Sequence, residues 1–171
     1  VLNEPLGDAT DDEKRVDRIA FFVHTEAEGM QVYVPATAGE TYATAPNKVH
    51  LELVNASDPS KGYTATVDLT AGAGYEADVV AVANLPEEYD YSQIVTWQGL
   101  LDSVTVAATT MPLCKGEYDT GKKNAFIMYA CATGVGLHKE KEANASFAME
   151  RLVARIDITN KAYGTAQNAF V

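Results

Sequence analysis

The sequence predicts an all-β protein, mainly β with one short helix, folded as a β-sandwich of about seven or eight short strands. Three observations carry this expectation. Many short segments alternate apolar and polar side chains, the period of a half-buried strand. Only one stretch has convincing helical spacing. Clusters of Asn, Asp, Ser, Pro and Gly separate the segments, leaving no room for the helical crossovers that a parallel sheet needs.

The length and balance fit one well-buried domain: 171 residues, 47% hydrophobic and 22% charged. The net charge is −11, from 13 Lys+Arg against 24 Asp+Glu. Such a surface repels a phosphate backbone or an anionic bilayer, so nucleic acid is excluded as a natural partner. No apolar run approaches the roughly 18 residues of a membrane helix, and the first residues are acidic where a signal segment is basic. The chain is therefore read as cytosolic or as a mature chain already trimmed.

Residues 1–15 carry Pro5, Gly7 and five acidic side chains, and read as a flexible arm before a domain spanning 16–160. "VDRIAFFVH" (16–24) is the first strand, with Ile19, Phe21 and Val23 on one face and an apolar Phe22 on the other. "MQVYV" (30–34) returns across Glu28-Gly29 as a hairpin partner. "VHLELV" (49–54) and "YTATVDL" (63–69) form a second antiparallel pair around "NASDPSKG". "EADVVAVANLP" (76–86) is apolar on both faces, as a covered central strand would be. "DYSQIVTWQGLLDS" (90–103) is the helix: Asp90 caps it with Gln93 three residues on, and Ile94, Trp97 and Leu101 form its stripe. "SVTVAATTM" (103–111) and "FIMYACAT" (126–133) read as strands.

"FAMERLVARIDITN" (147–160) admits two periods. Met149, Leu152, Val153 and Ile156 match one face of a helix, whereas Leu152, Ala154, Ile156 and Ile158 match one face of a strand. The β-favouring Ile156 and Ile158, and a local partner in "FIMYACAT", select the strand. Leu152, Ala154, Ile156 and Ile158 are then expected to join Ile19, Phe21 and Val23 in the core frame. Arg151 and Arg155 share the opposite face, where they serve structure by pairing with surplus carboxylates.

No catalytic set stands out, and no cofactor is expected. His24, His50 and His138 match neither H-E-x-x-H nor a Cys/His finger, although His50 and Glu52 share one strand face. The acidic runs at 8–13 and 86–91 lack the EF-hand register and read as solvated charge. "GAG" (72–74) and "GVG" (134–136) are too short for phosphate loops. Cys114 and Cys131 fit one disulfide or two buried thiols. Asn55-Ala56-Ser57 and Asn144-Ala145-Ser146 match the N-glycosylation triplet.

The residues Glu150, Arg151, Leu152, Val153, Ala154, Arg155, Ile156, Asp157 and Ile158 resemble a signature of the fimbrillin superfamily, the type V pilus subunits and related surface proteins of Bacteroidales bacteria. "VDRIAFFVHTEAEGMQVYV", "ADVVAVANLP" and "FIMYACAT" resemble other family strands in order and spacing. The resemblance implies the N-terminal transthyretin-like β-sandwich of a two-domain subunit, with 161–171 beginning the link to a missing C-terminal domain. It implies a precursor exported and anchored by lipid, trimmed by an arginine-specific protease, and polymerised at the cell surface when a neighbouring subunit donates a strand. Asp102-Ser103-Val104 also resembles the O-glycosylation triplet of exported Bacteroidales proteins, with Ser103 as acceptor. The expected function is a structural, non-enzymatic fimbrial subunit supporting adhesion. The alternative is a tip adhesin or an anchor binding a host glycan or protein through Tyr89, Tyr91 and Tyr118.

Overall fold

The computed structural model describes residues 14–70, 74–87, 89–110, 125–139 and 141–152. Among them are seven strands and one α-helix. A five-stranded antiparallel sheet is built from β1 (Ile19–Thr25), β2 (Gly29–Tyr33), β5 (Glu76–Ala83), β6 (Met128–Gly136) and β7 (Glu150–Arg151), in the order β2-β1-β5-β6-β7. β3 (His50–Leu53) and β4 (Tyr63–Thr66) form a separate antiparallel pair. The chain is thus mainly β, and among the described residues α1 (Trp97–Thr110) is the α-helix whose bounds are defined.

β1 and β5 lie inside the sheet, which explains why both are apolar on both faces. Ile19, Phe21 and Val23 are buried, at 7%, 8% and 5% exposure, on the face shared with Val79, Ala81 and Ala83. Leu51 and Ala65 of the β3–β4 pair pack against this face. Ala20, Phe22 and Val82 point the other way, towards Leu100 and Val104 of α1. One sheet therefore separates two cores. At the far end of β5 the pairing with β6 shifts between Ala77 and Val79, leaving Thr133 and Gly134 opposite Asp78. Gly134 takes φ 65°, which glycine adopts without steric cost, and its N–H donates to the Asp78 carboxylate at 3.3 Å.

Asn84, where β5 ends, fastens the strand starts around it. Its side chain is buried, its Oδ1 accepts from Asp17 N at 2.8 Å, and its Nδ2 donates to Arg15 O at 3.0 Å and Phe126 O at 2.8 Å. Its own N–H donates to Arg18 O at 3.0 Å. The residue sits at φ 63°, a left-handed conformation that asparagine tolerates better than most side chains.

The helix lies further along the chain than the sequence predicts. Asp90 does cap, accepting from Ser92 N at 2.9 Å, but it caps only a 3-10 turn, Tyr91–Gln93. The α-helix begins after Thr96, whose hydroxyl accepts from Gly99 N at 3.1 Å, an N-cap contact. It runs to Thr110, so the strand expected over 103–111 is helical through that residue. Each β-branched residue in "SVTVAATT" costs only a few tenths of a kcal/mol in a helix. Burying Leu100 and Val104, four apart on one face, outweighs that sum. Leu101, expected in the stripe, is 60% exposed.

Of the strand expected over 147–160, Glu150 and Arg151 pair with Tyr129 and Met128, and residues 153–160 lie outside the described residues. Phe147 and Met149 pack on the Ile19 face, Phe147 stacking on Phe21 at 5.7 Å. Alternation from these two residues puts Arg151 on their side and sends Leu152 away. Leu152, expected in the core, is 37% exposed.

Two outcomes test these assignments. Asn84→Ala should lower unfolding free energy by about 3 kcal/mol, through three lost hydrogen bonds and a strained φ, and Asn84→Gly should recover part of it; equal urea midpoints for wild type and Asn84→Ala would refute the clamp. Leu100→Ala should cost roughly 3 kcal/mol and Leu101→Ala less than about 1 kcal/mol, a contrast that equilibrium denaturation resolves and that the predicted stripe reverses.

Candidate functional site

In an antiparallel ladder the N–H and C=O of one residue point to the same neighbour, and successive residues alternate. Arg18 O faces β5 through its bond to Asn84 N, so the backbone groups of Ile19 and Phe21 face β2. Pairing of β1 with β2 ends at Phe21↔Tyr33. Two residues on, Pro35 brings no N–H to meet Ile19. The chain turns there to β3 instead: Val49 N donates to Val34 O at 2.9 Å and Ala36 N donates to Val49 O at 3.0 Å. Among the described residues, nothing pairs with the backbone of Ile19 on that side.

The same logic applies to β3. Val54 N donates to Gly62 O at 3.0 Å, so alternate residues Glu52 and His50 also face β4. Leu51 faces away, on the side where Val49 meets Val34, and beyond Ala36 no described segment continues that ladder. These two edges line one half-open cavity of about 420 Å³, bordered by 17–19, 35–42 and 49–52. Its size is at the lower end of the range for ligand pockets.

The rim is fastened by side chains. Glu40 accepts from Lys48 Nζ at 2.6 Å, from Thr37 N at 2.7 Å and from Thr37 Oγ1 at 2.8 Å. The bond from Lys48, then those from Thr37, hold its carboxyl down at about 2. Tyr42 donates its hydroxyl to the Asp68 carboxylate, and that bond, with burial and the Asp68 charge behind it, pushes the phenol up from its ordinary value. The Tyr42 ring stands edge-on to His50 at 5.8 Å. His50 Nε2 donates to Ala45 O at 2.7 Å, in the tautomer that carries its proton there.

The three histidines are held apart in role. His24 packs its ring 5.6 Å from Trp97, His50 serves the rim, and His138 is exposed. Among the described residues no group of three or more His, Cys, Asp and Glu side chains is arranged to hold a metal ion. Cys131 is an exposed free thiol on β6, with burial first and Asp78 second raising its pKa; Cys114 lies outside the described residues. Ser103 is half-buried in α1 and accepts the Tyr89 hydroxyl.

Tyr89 and Tyr91 are not the exposed loop aromatics the sequence predicts. They pack edge to face at 4.9 Å, and Tyr91 lies 6.4 Å from Phe22 in the helix-side core. Burial pushes the Tyr91 hydroxyl up to about 12. Tyr118, Ala154, Arg155, Ile156 and Ile158 lie outside the described residues. Arg151, expected to pair with a carboxylate, places its guanidinium over the Phe126 ring at 5.9 Å.

Comparison with protein-family models, with curated proteins and with solved structures finds no match in any of the three.

The Glu40 contacts have a definite pH signature. The folded-state value lies below the ordinary 4.5, so their contribution is complete above that value and is lost as pH falls towards 2. NMR titration of the Glu40 carboxyl should give a midpoint of about 2, rising in Lys48→Met. A wild-type midpoint at 4.5 would show that the rim is unfastened in solution.

Proposed function

We propose that this chain belongs to a structural subunit of a bacterial surface fimbria, a fimbrillin-like protein with a transthyretin-like β-sandwich that joins its neighbours by accepting a strand. The single observation that carries the reading is that the backbone edges at Ile19 and Leu51, open among the described residues, border one cavity. Unpaired N–H and C=O groups beside apolar side chains are what an incoming strand satisfies, by adding ladder hydrogen bonds and filling alternate pockets. The four ordered sequence motifs supply the family context. Head-to-tail donation builds an open filament, which fits a pilus shaft at the cell surface. The adhesin alternative loses two of the three aromatics that suggested it, because Tyr89 and Tyr91 are engaged within the fold, while Tyr118 lies outside the described residues.

Mixing the intact protein with itself after treatment by an arginine-specific protease should give SDS-resistant ladders on gels. A treated protein that stays strictly monomeric would count against the proposal. Leu51→Pro, which deletes an N–H pointing into the slot, should suppress the ladders while circular dichroism stays that of the wild type.

A further inference from the structure

We propose that the loop 37–44 is a gate over the strand-accepting slot, held shut by the Glu40–Lys48 ion pair and the Tyr42–Asp68 hydrogen bond. This inference rests on the strand-accepting reading and concerns how that site is controlled.

Position is the first argument. Thr37 to Tyr42 form one wall of the cavity of about 420 Å³ that Ile19 and Leu51 also line, so the place of the loop decides how far an incoming strand can reach those two edges.

The second argument is how the loop is attached. Its two ends are tied at the backbone: Ala36 N donates to Val49 O at 3.0 Å, and Ala45 O accepts from Lys48 N at 3.1 Å and from the His50 side chain, through Nε2, at 2.7 Å. Between those ties no residue is buried, whereas Ala45, the next one, is buried at 8% exposure. Thr37, Glu40, Thr41 and Thr44 bond chiefly to one another, which keeps the loop shaped as it moves. Gly39 has φ 92°, so the tip turns where a side chain would be strained.

Side chains hold the loop to the body through the Glu40–Lys48 pair, the Tyr42–Asp68 bond and the edge-on contact of Tyr42 with His50, of which the first two are polar latches. Lys48 and Asp68 are the body-side groups; the Tyr42–Asp68 bond is exposed and the Glu40–Lys48 pair is about 30% exposed, so water and salt reach both and screen them. The other charged groups around the slot do not hold the loop: Asp17 pairs with Arg15 at 2.8 Å, Glu52 lies on β3, and Arg18 lies beside Tyr91. The loop combines fixed hinges, no buried anchor and two breakable latches, the profile of a segment that opens at low free-energy cost.

The test uses the intact protein carrying Tyr42→Phe, Lys48→Met and both together. Amide hydrogen exchange followed by NMR at fixed pH reads the gate without requiring assembly. In the double variant the Ile19 and Leu51 amides should exchange roughly tenfold faster, while those of Phe22 and Val82, paired between β1 and β5, keep their wild-type rates. After protease treatment, the double variant should form SDS-resistant ladders faster than wild type. Unchanged exchange at Ile19 and Leu51 overturns the gate, as does an equal rise at Phe22 and Val82, which reports global loosening. Faster exchange at the slot with no ladders in any variant keeps the gate and sinks strand acceptance. Ladders at the wild-type rate with unchanged exchange do the reverse.

Discussion

The Asn84 side chain sits where three separate stretches of chain must meet. It holds Arg15 and Asp17 before β1 and Phe126 before β6, while its own backbone closes the end of β5. This fixes the register of β1 against β5 at one end, and register decides everything downstream. A slip of one residue would exchange Phe21 and Phe22 between the two cores, and every side chain of the strand with them. Phe21 stacks on Phe147, whereas Phe22 is fully buried beneath the helix-side cluster. Because β1 buries both faces, neither core would tolerate the exchange.

The same register places the open edge. With Arg18 directed at β5, Ile19 must direct its N–H and C=O outward, and Pro35 prevents β2 from reaching them in the usual way. The diversion towards Val49 then connects the five-stranded sheet to the β3–β4 pair through a parallel bridge. One proline thus does two things: it ends a ladder early and it redirects the chain to a second sheet. The cavity is the space left between those two outcomes.

Much of this was legible in advance. Strict alternation in β1, β3 and β4 and double-sided apolar character in β5 are local signals, and they placed those strands within a few residues. The helix starts later than its sequence predicts because Asp90 and Thr96 are both good caps six residues apart, and tertiary burial of Leu100 and Val104 selects the second. The β-branched run after Ser103 is helical because propensity is a weak preference that packing overrides. Leu152 faces away from the core because the last strand's parity is set by Phe147 stacking on Phe21, a contact between residues far apart in sequence. The slot could not be read at all: it depends on which neighbour each backbone group faces, and that follows from the pairing partners rather than from any motif.

An unpaired edge is normally a route to aggregation, and natural sheets blunt it with proline, charge or a covering loop. All three devices surround this edge. Pro35 lies opposite Ile19, Asp17, Glu40 and Glu52 line the slot, and the loop from Thr37 borders it. The net charge of −11 adds long-range repulsion between copies at low salt. Such protection is graded rather than absolute, since charge is screened and a loop can move. A domain meant only to stay monomeric would gain more from completing the ladder by placing any other residue at 35. Under the proposed reading, leaving the edge incomplete keeps a site for one specific strand, while the charge and the bordering loop disfavour chance encounters.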